Sequence, residues 1–131
     1  MIGIDQRFEL VDLSILSGTF AQPTATLVLK VDGEIQKATA IGIGPVDAIF
    51  KGISELTETK SELARYHVNA ITGGMDALGE VLVTLDEDGR RMIGHGAHTD
   101  IIVASANAYV HALNKLAWHK RQHDVAEPTG I

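Results

Sequence analysis

Residues 24–50 read TATLVLKVDGEIQKATAIGIGPVDAIF, and their periodicity changes twice within one stretch. Over 24–31 the residues alternate. Ala25, Leu27, Leu29 and Val31 oppose Thr24, Thr26, Val28 and Lys30, as a strand with one apolar face requires. Asp32-Gly33 follows, a dipeptide suited to a hairpin whose two turn positions need positive φ. Residues 34–41, EIQKATAI, are the return strand, and Gly42-Ile43-Gly44-Pro45 is a tight loop. Pro45 fits a first helical turn, where its missing N–H is not needed. Val46, Ile49, Phe50 and Ile53 then sit at i, i+3, i+4 and i+7, one face of a helix that ends in polar Thr57 to Ser61.

On the N-terminal side, residues 8–17 alternate as well. Glu9, Val11, Leu13 and Ile15 form the cleaner apolar face, against Phe8, Leu10, Asp12, Ser14 and Leu16. Gly18 to Pro23 is a loop. On the C-terminal side the order of signals returns: strands at 63–72 and 77–85 around a turn at Gly73-Gly74-Met75-Asp76, then Glu87-Asp88-Gly89 and a strand beginning at 90–94. A loop over Gly94–Thr99 leads to a helix at about Asp100–His119, with Ile102, Ala106, Tyr109, Leu113 and Leu116 at helical spacing and Val103 and Val110 widening the face. The tail from Gln122 is polar and is expected to fray.

The chain therefore reads as one unit written twice: strand, strand, acidic-Gly turn, strand, Gly-x-Gly, helix. Asp32-Gly33 pairs with Asp88-Gly89, Gly42-Ile43-Gly44 with Gly94-His95-Gly96, and Asp47 with Asp100. The fold class is α+β, two pseudo-symmetric βββα units, each a three-stranded antiparallel sheet with one helix. One helix cannot cover a whole sheet, so apolar area remains for a second copy of the chain, and a homodimer is expected.

Composition narrows the function. The 131 residues fit one domain. Lys+Arg is 11 against Asp+Glu 17, a net charge of -6, which disfavours nucleic acid and anionic membrane as partners. There is no cysteine, so disulfides and thiolate chemistry are excluded. No apolar run approaches the ~20 residues of a membrane span. MIGIDQRF lacks the pattern of a signal peptide, so a cytoplasmic setting is expected.

The Gly-x-Gly turns are the candidate sites. Such a turn into a helix start offers N–H groups and a positive dipole end to a carboxylate or phosphate, or is simply a tight connection. Neither matches a dinucleotide fingerprint or a P-loop. Asp47 and Asp100 can receive an ammonium group or compensate the helix dipole. His95 and His98 have H-x-x-H spacing but lack two further zinc ligands, so neither metal nor cofactor is expected. His111, His119 and His123 lie along or just after the last helix. No Gly-x-Ser-x-Gly elbow is present, and no catalytic residue is assigned. The residues themselves stop at a symmetric domain with a place for a small anion.

GIGPVDAIFKGI at 42–53 and GHGAHTDIIVASANAYVHALNKL at 94–116 resemble the C-terminal regulatory domain of 2-isopropylmalate synthases, a domain shared with citramalate synthases. The resemblance covers roughly residues 8–117. It departs at His95 and over Ala97-His98-Thr99. It implies an interleaved homodimer of two βββα units that binds an end-product amino acid near the dimer interface and inhibits a catalytic barrel absent from this chain. It also implies leucine as effector, or isoleucine for a citramalate synthase; a dimerisation module without ligand is the alternative. Carried onto this sequence, the effector site comprises Gly42, Ile43, Gly44, Pro45, Val46, Asp47 and Ala48 with Gly94, Gly96, Asp100 and Ala104. The ligand carboxylate would meet N–H groups at 42–48 and 94–101, its ammonium Asp47 or a loop carbonyl, and its side chain Ile43, Val46, Ala104 and Ala108. The regulatory domain would span 8–120, as units 8–60 and 61–120, between an extension at 1–7 and a tail at 121–131.

Overall fold

The computed structural model describes residues 6–71 and 77–126. The elements are β1 (Phe8–Leu16), β2 (Thr24–Val31), β3 (Glu34–Ile41), α1 (Pro45–Thr57), β4 (Glu62–Ile71), β5 (Leu78–Glu87), β6 (Arg90–His98) and α2 (Ile101–Ala126). They form two antiparallel sheets, β1-β2-β3 and β4-β5-β6, each followed by its helix. This is the α+β architecture of two βββα units expected above. Thr72 and the turn expected at 73–76 lie outside the described residues.

The second hairpin of each sheet closes on its Asp-Gly pair. Asp32 and Asp88 have φ of 51° and 53°, and Gly33 and Gly89 have 87° and 82°, so both turn positions are left-handed. Asp86 Oδ1 also accepts the Gly89 N–H at 3.0 Å. These turns are 56 positions apart (89 − 33), and so are the first helical residues Pro45 and Ile101 (101 − 45). That register corrects the pairing of the Gly-x-Gly motifs. Gly94 and Gly96 correspond to Ala38 and Ala40, while Gly42 and Gly44 correspond to His98 and Asp100.

Gly94 and Gly96 are accordingly not in a loop: β6 continues to His98. Their side-chain-less faces lie against α2. A Cβ on Gly94 would strike Ala108 O and Ala112 N, and one on Gly96 would strike Ala104 O and approach Ala108 N to 2.7 Å. Glycine at the inward positions removes the apolar alternation that marks a strand, so the segment reads as a loop.

Ala25, Leu27 and Leu29 of β2 are buried beneath α1, and Val81, Val83 and Leu85 of β5 beneath α2. From α1 they meet Ala48, Ile49, Phe50 and Ile53. Each fully buried Leu, Ile or Val contributes roughly 1.5–3 kcal/mol. Helix α1 stops where Thr57 Oγ1 donates to Ile53 O at 2.8 Å and Glu58 turns left-handed at φ 52°. Helix α2 packs on β5, β6, α1 and β1, and is buried on most sides between Ala104 and Leu116. It also runs past the expected end at His119 to Ala126, because the polar residues there carry no breaker before Pro128.

In β1 the expected apolar face is half right. Val11 is an extra residue: Leu10 pairs with Leu29 and Asp12 with Val28. This bulge changes the side on which the following residues emerge. Phe8 and Leu10 point inward before it, Leu13 and Ile15 after it, while Glu9 and Val11 are exposed. Ala64 makes the same kind of bulge in β4, between the pairs Leu63–Leu85 and Arg65–Thr84. Among the described residues, no helix is long and apolar enough to cross a membrane.

Candidate functional site

The turn Gly42–Gly44 joins β3 to α1. Gly42 N–H donates to Pro23 O at 3.0 Å, which anchors the turn to the start of β2. Ile43 N–H donates to Asp47 Oδ2 at 2.9 Å, and the same oxygen lies 3.4 Å from Lys51 Nζ. Asp47 thus closes its own turn. Gly42 permits this fold-back, since a Cβ there would lie 2.6 Å from Asp47 Oδ2 and 2.5 Å from Ala48 N. Gly44 is different: open space surrounds it and its backbone is extended, with φ −155°. It caps α1 without a side-chain hydrogen bond, and the first helical bond runs from Ala48 N–H to Gly44 O at 3.0 Å. Pro45 has no N–H, so the Val46 and Asp47 amides precede the helical ladder and carry the positive dipole end. Ala48 is buried, Pro45 and Val46 are half-buried, and Ile43 projects outward, 93% exposed.

Asp100 occupies the corresponding point before α2. Its Oδ1 accepts Ile102 N–H at 2.8 Å, and its own N–H donates to His98 Nδ1 at 2.9 Å. It is a helix cap satisfied by local partners. Ala104 and Ala108 are fully buried where α2 crosses Gly96 and Gly94. Among the described residues, no hydrogen bond or ion pair links 42–48 with Gly94, Gly96, Asp100 or Ala104. Within the chain the two motifs are joined through the shared core, which contains Ala48 and Ala104, and not by direct polar contacts. The apolar pocket expected from Ile43, Val46, Ala104 and Ala108 is not assembled, since Ile43 projects outward.

An open hollow of about 670 Å³ lies beside the first turn. Phe50, Leu63 and Tyr109 line it together with Ile41, and Asp47, Lys51 and Glu55 of α1 add charges of both signs. Phe50 stacks on Tyr109, with ring centroids 4.6 Å apart, and meets Tyr66 edge-on at 5.7 Å. Tyr66 Oη and Ser105 Oγ are hydrogen-bonded at 2.7 Å. Burial raises the Tyr109 hydroxyl above its ordinary pKa of 10.0, opposed by a hydrogen bond with Ser54. Both tyrosines of the chain meet here from β4 and α2, and no sequence spacing signals it. Among the described residues, no group of three or more His, Asp or Glu is placed to hold a metal.

Strand β4 stands apart from the rest of the fold. Every residue from 62 to 69 is exposed, although Leu63, Tyr66 and Val68 are on the same sheet face as buried Leu85, Val83 and Val81. Among the described residues the backbone contacts of β4 are with β5 alone, and Tyr66 reaches the helices through its side chain, at Phe50 and Ser105.

The family described as the LeuA allosteric (dimerisation) domain matches residues 2–117. A 2-isopropylmalate synthase of Syntrophus aciditrophicus is 50% identical over 118 residues, 90% of this chain and 23% of that protein. One from Thiobacillus denitrificans is 50% identical over 112 residues, 86% of this chain and 22% of its own length. One from Nitratidesulfovibrio vulgaris is 47% identical over 125 residues, 95% and 24% respectively. The chain spans about a quarter of these relatives, and their catalytic part has no counterpart among its residues. With its two βββα units and most of its length matched, this chain belongs to the LeuA allosteric (dimerisation) domain family.

Proposed function

We propose that this chain is the regulatory domain of a 2-isopropylmalate synthase, acting as a homodimer in the cytoplasm and binding a branched-chain amino acid for feedback inhibition. The observation that carries the effector reading is the junction of the Gly42–Ala48 turn with the adjoining hollow. The Val46 and Asp47 amides suit a carboxylate. Phe50, Leu63 and Tyr109 offer apolar surface for a branched side chain, and Glu55 or Asp47 offers an acceptor for the ammonium. Gly94, Gly96, Asp100 and Ala104 contribute by fixing α2, whose Tyr109 lines the hollow. Leucine is preferred over isoleucine because the relatives above are named 2-isopropylmalate synthases. The homodimer is supported by the uncovered face of β4, since Leu63 lines the hollow and exposed Tyr66 and Val68 lie on the same sheet face as Leu63. A second copy seated there would enclose the ligand.

A dimerisation module without ligand is the second reading, favoured by one fact: Asp47 is already engaged by Ile43 N–H and Lys51. Calorimetric titration of leucine, isoleucine, valine and isoamylamine separates the two. Saturable binding of leucine at roughly micromolar strength, lost with isoamylamine, is the expected result. Absence of heat with all three amino acids supports the ligand-free module.

A further inference from the structure

Helix α2 lies between two sheet edges and closes both with side chains. At the β1 edge, Asn114 Oδ1 accepts Phe8 N–H and its Nδ2 donates to Phe8 O, each at 2.9 Å. At the β6 edge, His111 Nδ1 accepts His95 N–H at 2.9 Å and Lys115 Nζ donates to Ile93 O at 2.7 Å. Sheet edges with free N–H and C=O groups are sites of unwanted strand addition, and these contacts cover them. The two closures differ in chemistry. Asn114 does not titrate, whereas His111 accepts only while its Nδ1 carries no proton.

We propose that His111 is a pH-operated latch on the outer edge of β6. In the neutral ring the proton sits on Nε2, and Nδ1 holds the His95 amide. When Nδ1 takes a proton from solvent, two N–H donors face each other and the bond is lost. The new cation then also stands one helical turn from Lys115, the residue holding Ile93 O, so both halves of the closure weaken together. The edge of β6 at Ile93–His95 opens.

The surroundings set the working range. His95 faces the ring from β6, with centroids 6.1 Å apart, and Lys115 lies on α2 itself. Glu9 of β1 lines a separate hollow together with His95 and His111, and is paired with Lys30 at 3.9 Å. Burial first, then the charges of Lys115 and His95, push the His111 pKa below its ordinary 6.5. The latch is therefore closed above 6.5 and opens as pH falls through the lowered value.

The test is amide exchange of the whole chain by nitrogen-15 NMR, with intrinsic pH dependence removed. His95 N–H should exchange roughly tenfold faster below the pH at which the His111 ring shifts titrate than at about pH 7.5, the effect of one lost hydrogen bond, while Val83 in β5 stays unchanged. His111→Gln retains an acceptor that does not titrate, and should keep His95 protected at both values. His111→Leu should leave it unprotected at both. Should the leucine variant fail to fold, the ring nitrogen shifts of the parent at about pH 7.5 decide: Nε2–H supports the latch and Nδ1–H overturns it. Protection of His95 that does not change as His111 titrates, or acid loss that persists in His111→Gln, also overturns it.

Discussion

Replacing Gly96 with alanine sets a methyl carbon on the carbonyl oxygen of Ala104 and 2.7 Å from the Ala108 nitrogen. Both obstacles are helix backbone, so no side-chain rotation relieves the contact, and α2 must move off β6. Overpacking of a filled core typically costs about 1–3 kcal/mol. With a rigid neighbour the upper end applies, and the loss of unfolded-state entropy from Gly→Ala returns only ~0.4–1 kcal/mol. A net destabilisation of about 2–3 kcal/mol is expected, which lowers the melting temperature by roughly 10 °C for a domain of this size. Gly44→Ala provides the contrast. Nothing lies within 4 Å of its Cβ position and its φ of −155° suits any residue, so stability should stay level or rise by up to ~1 kcal/mol. Urea unfolding of parent and both variants measures this, at one fixed protomer concentration because association contributes to stability. If Gly96→Ala unfolds within ~0.5 kcal/mol of the parent with the same slope, the packing role assigned to the β6 glycines is wrong.

Asn114→Ala removes both partners of the buried Phe8 backbone and should cost about 2–4 kcal/mol in urea unfolding; a loss under ~1 kcal/mol would show that water replaces the amide. Leu63→Glu puts a carboxylate on the uncovered face of β4, where the exposed parent residue contributes little to the protomer's own core. Sedimentation should shift from a dimer to a 14.0 kDa species with circular dichroism unchanged, and a dimer that persists would place the interface elsewhere. Gly44→Asp places a negative charge at the α1 start, in open space, and should abolish leucine binding without loss of the fold. Unchanged affinity in that variant would make the turn a connection only.

The two halves of the chain are written in its periodicities. Alternation over 24–31 and 78–85, the two Asp-Gly turns, and the i, i+3, i+4 pattern from Val46 to Ile53 are local consequences of strand pleat, positive φ and helical pitch. They specify the order of elements with no knowledge of their partners. The first Gly-x-Gly turn was legible for the same reason: Pro45 carries its preference for a first helical turn in itself. The second motif was not. Whether Gly94 and Gly96 turn the chain or admit a helix depends on what faces them, and that is the backbone of α2, distant in sequence. The face of β1 was equally hidden, because the bulge at Val11 arises from pairing with Leu29 and Val28 rather than from any preference of valine. The meeting of Phe50, Tyr66 and Tyr109, the His111 contact with β6 and the exposure of β4 likewise exist only after two sheets and two helices are placed. Backbone propensity acts within a few residues and can be read along the chain; packing, edge closure and pairing register are set by neighbours that only the tertiary structure supplies.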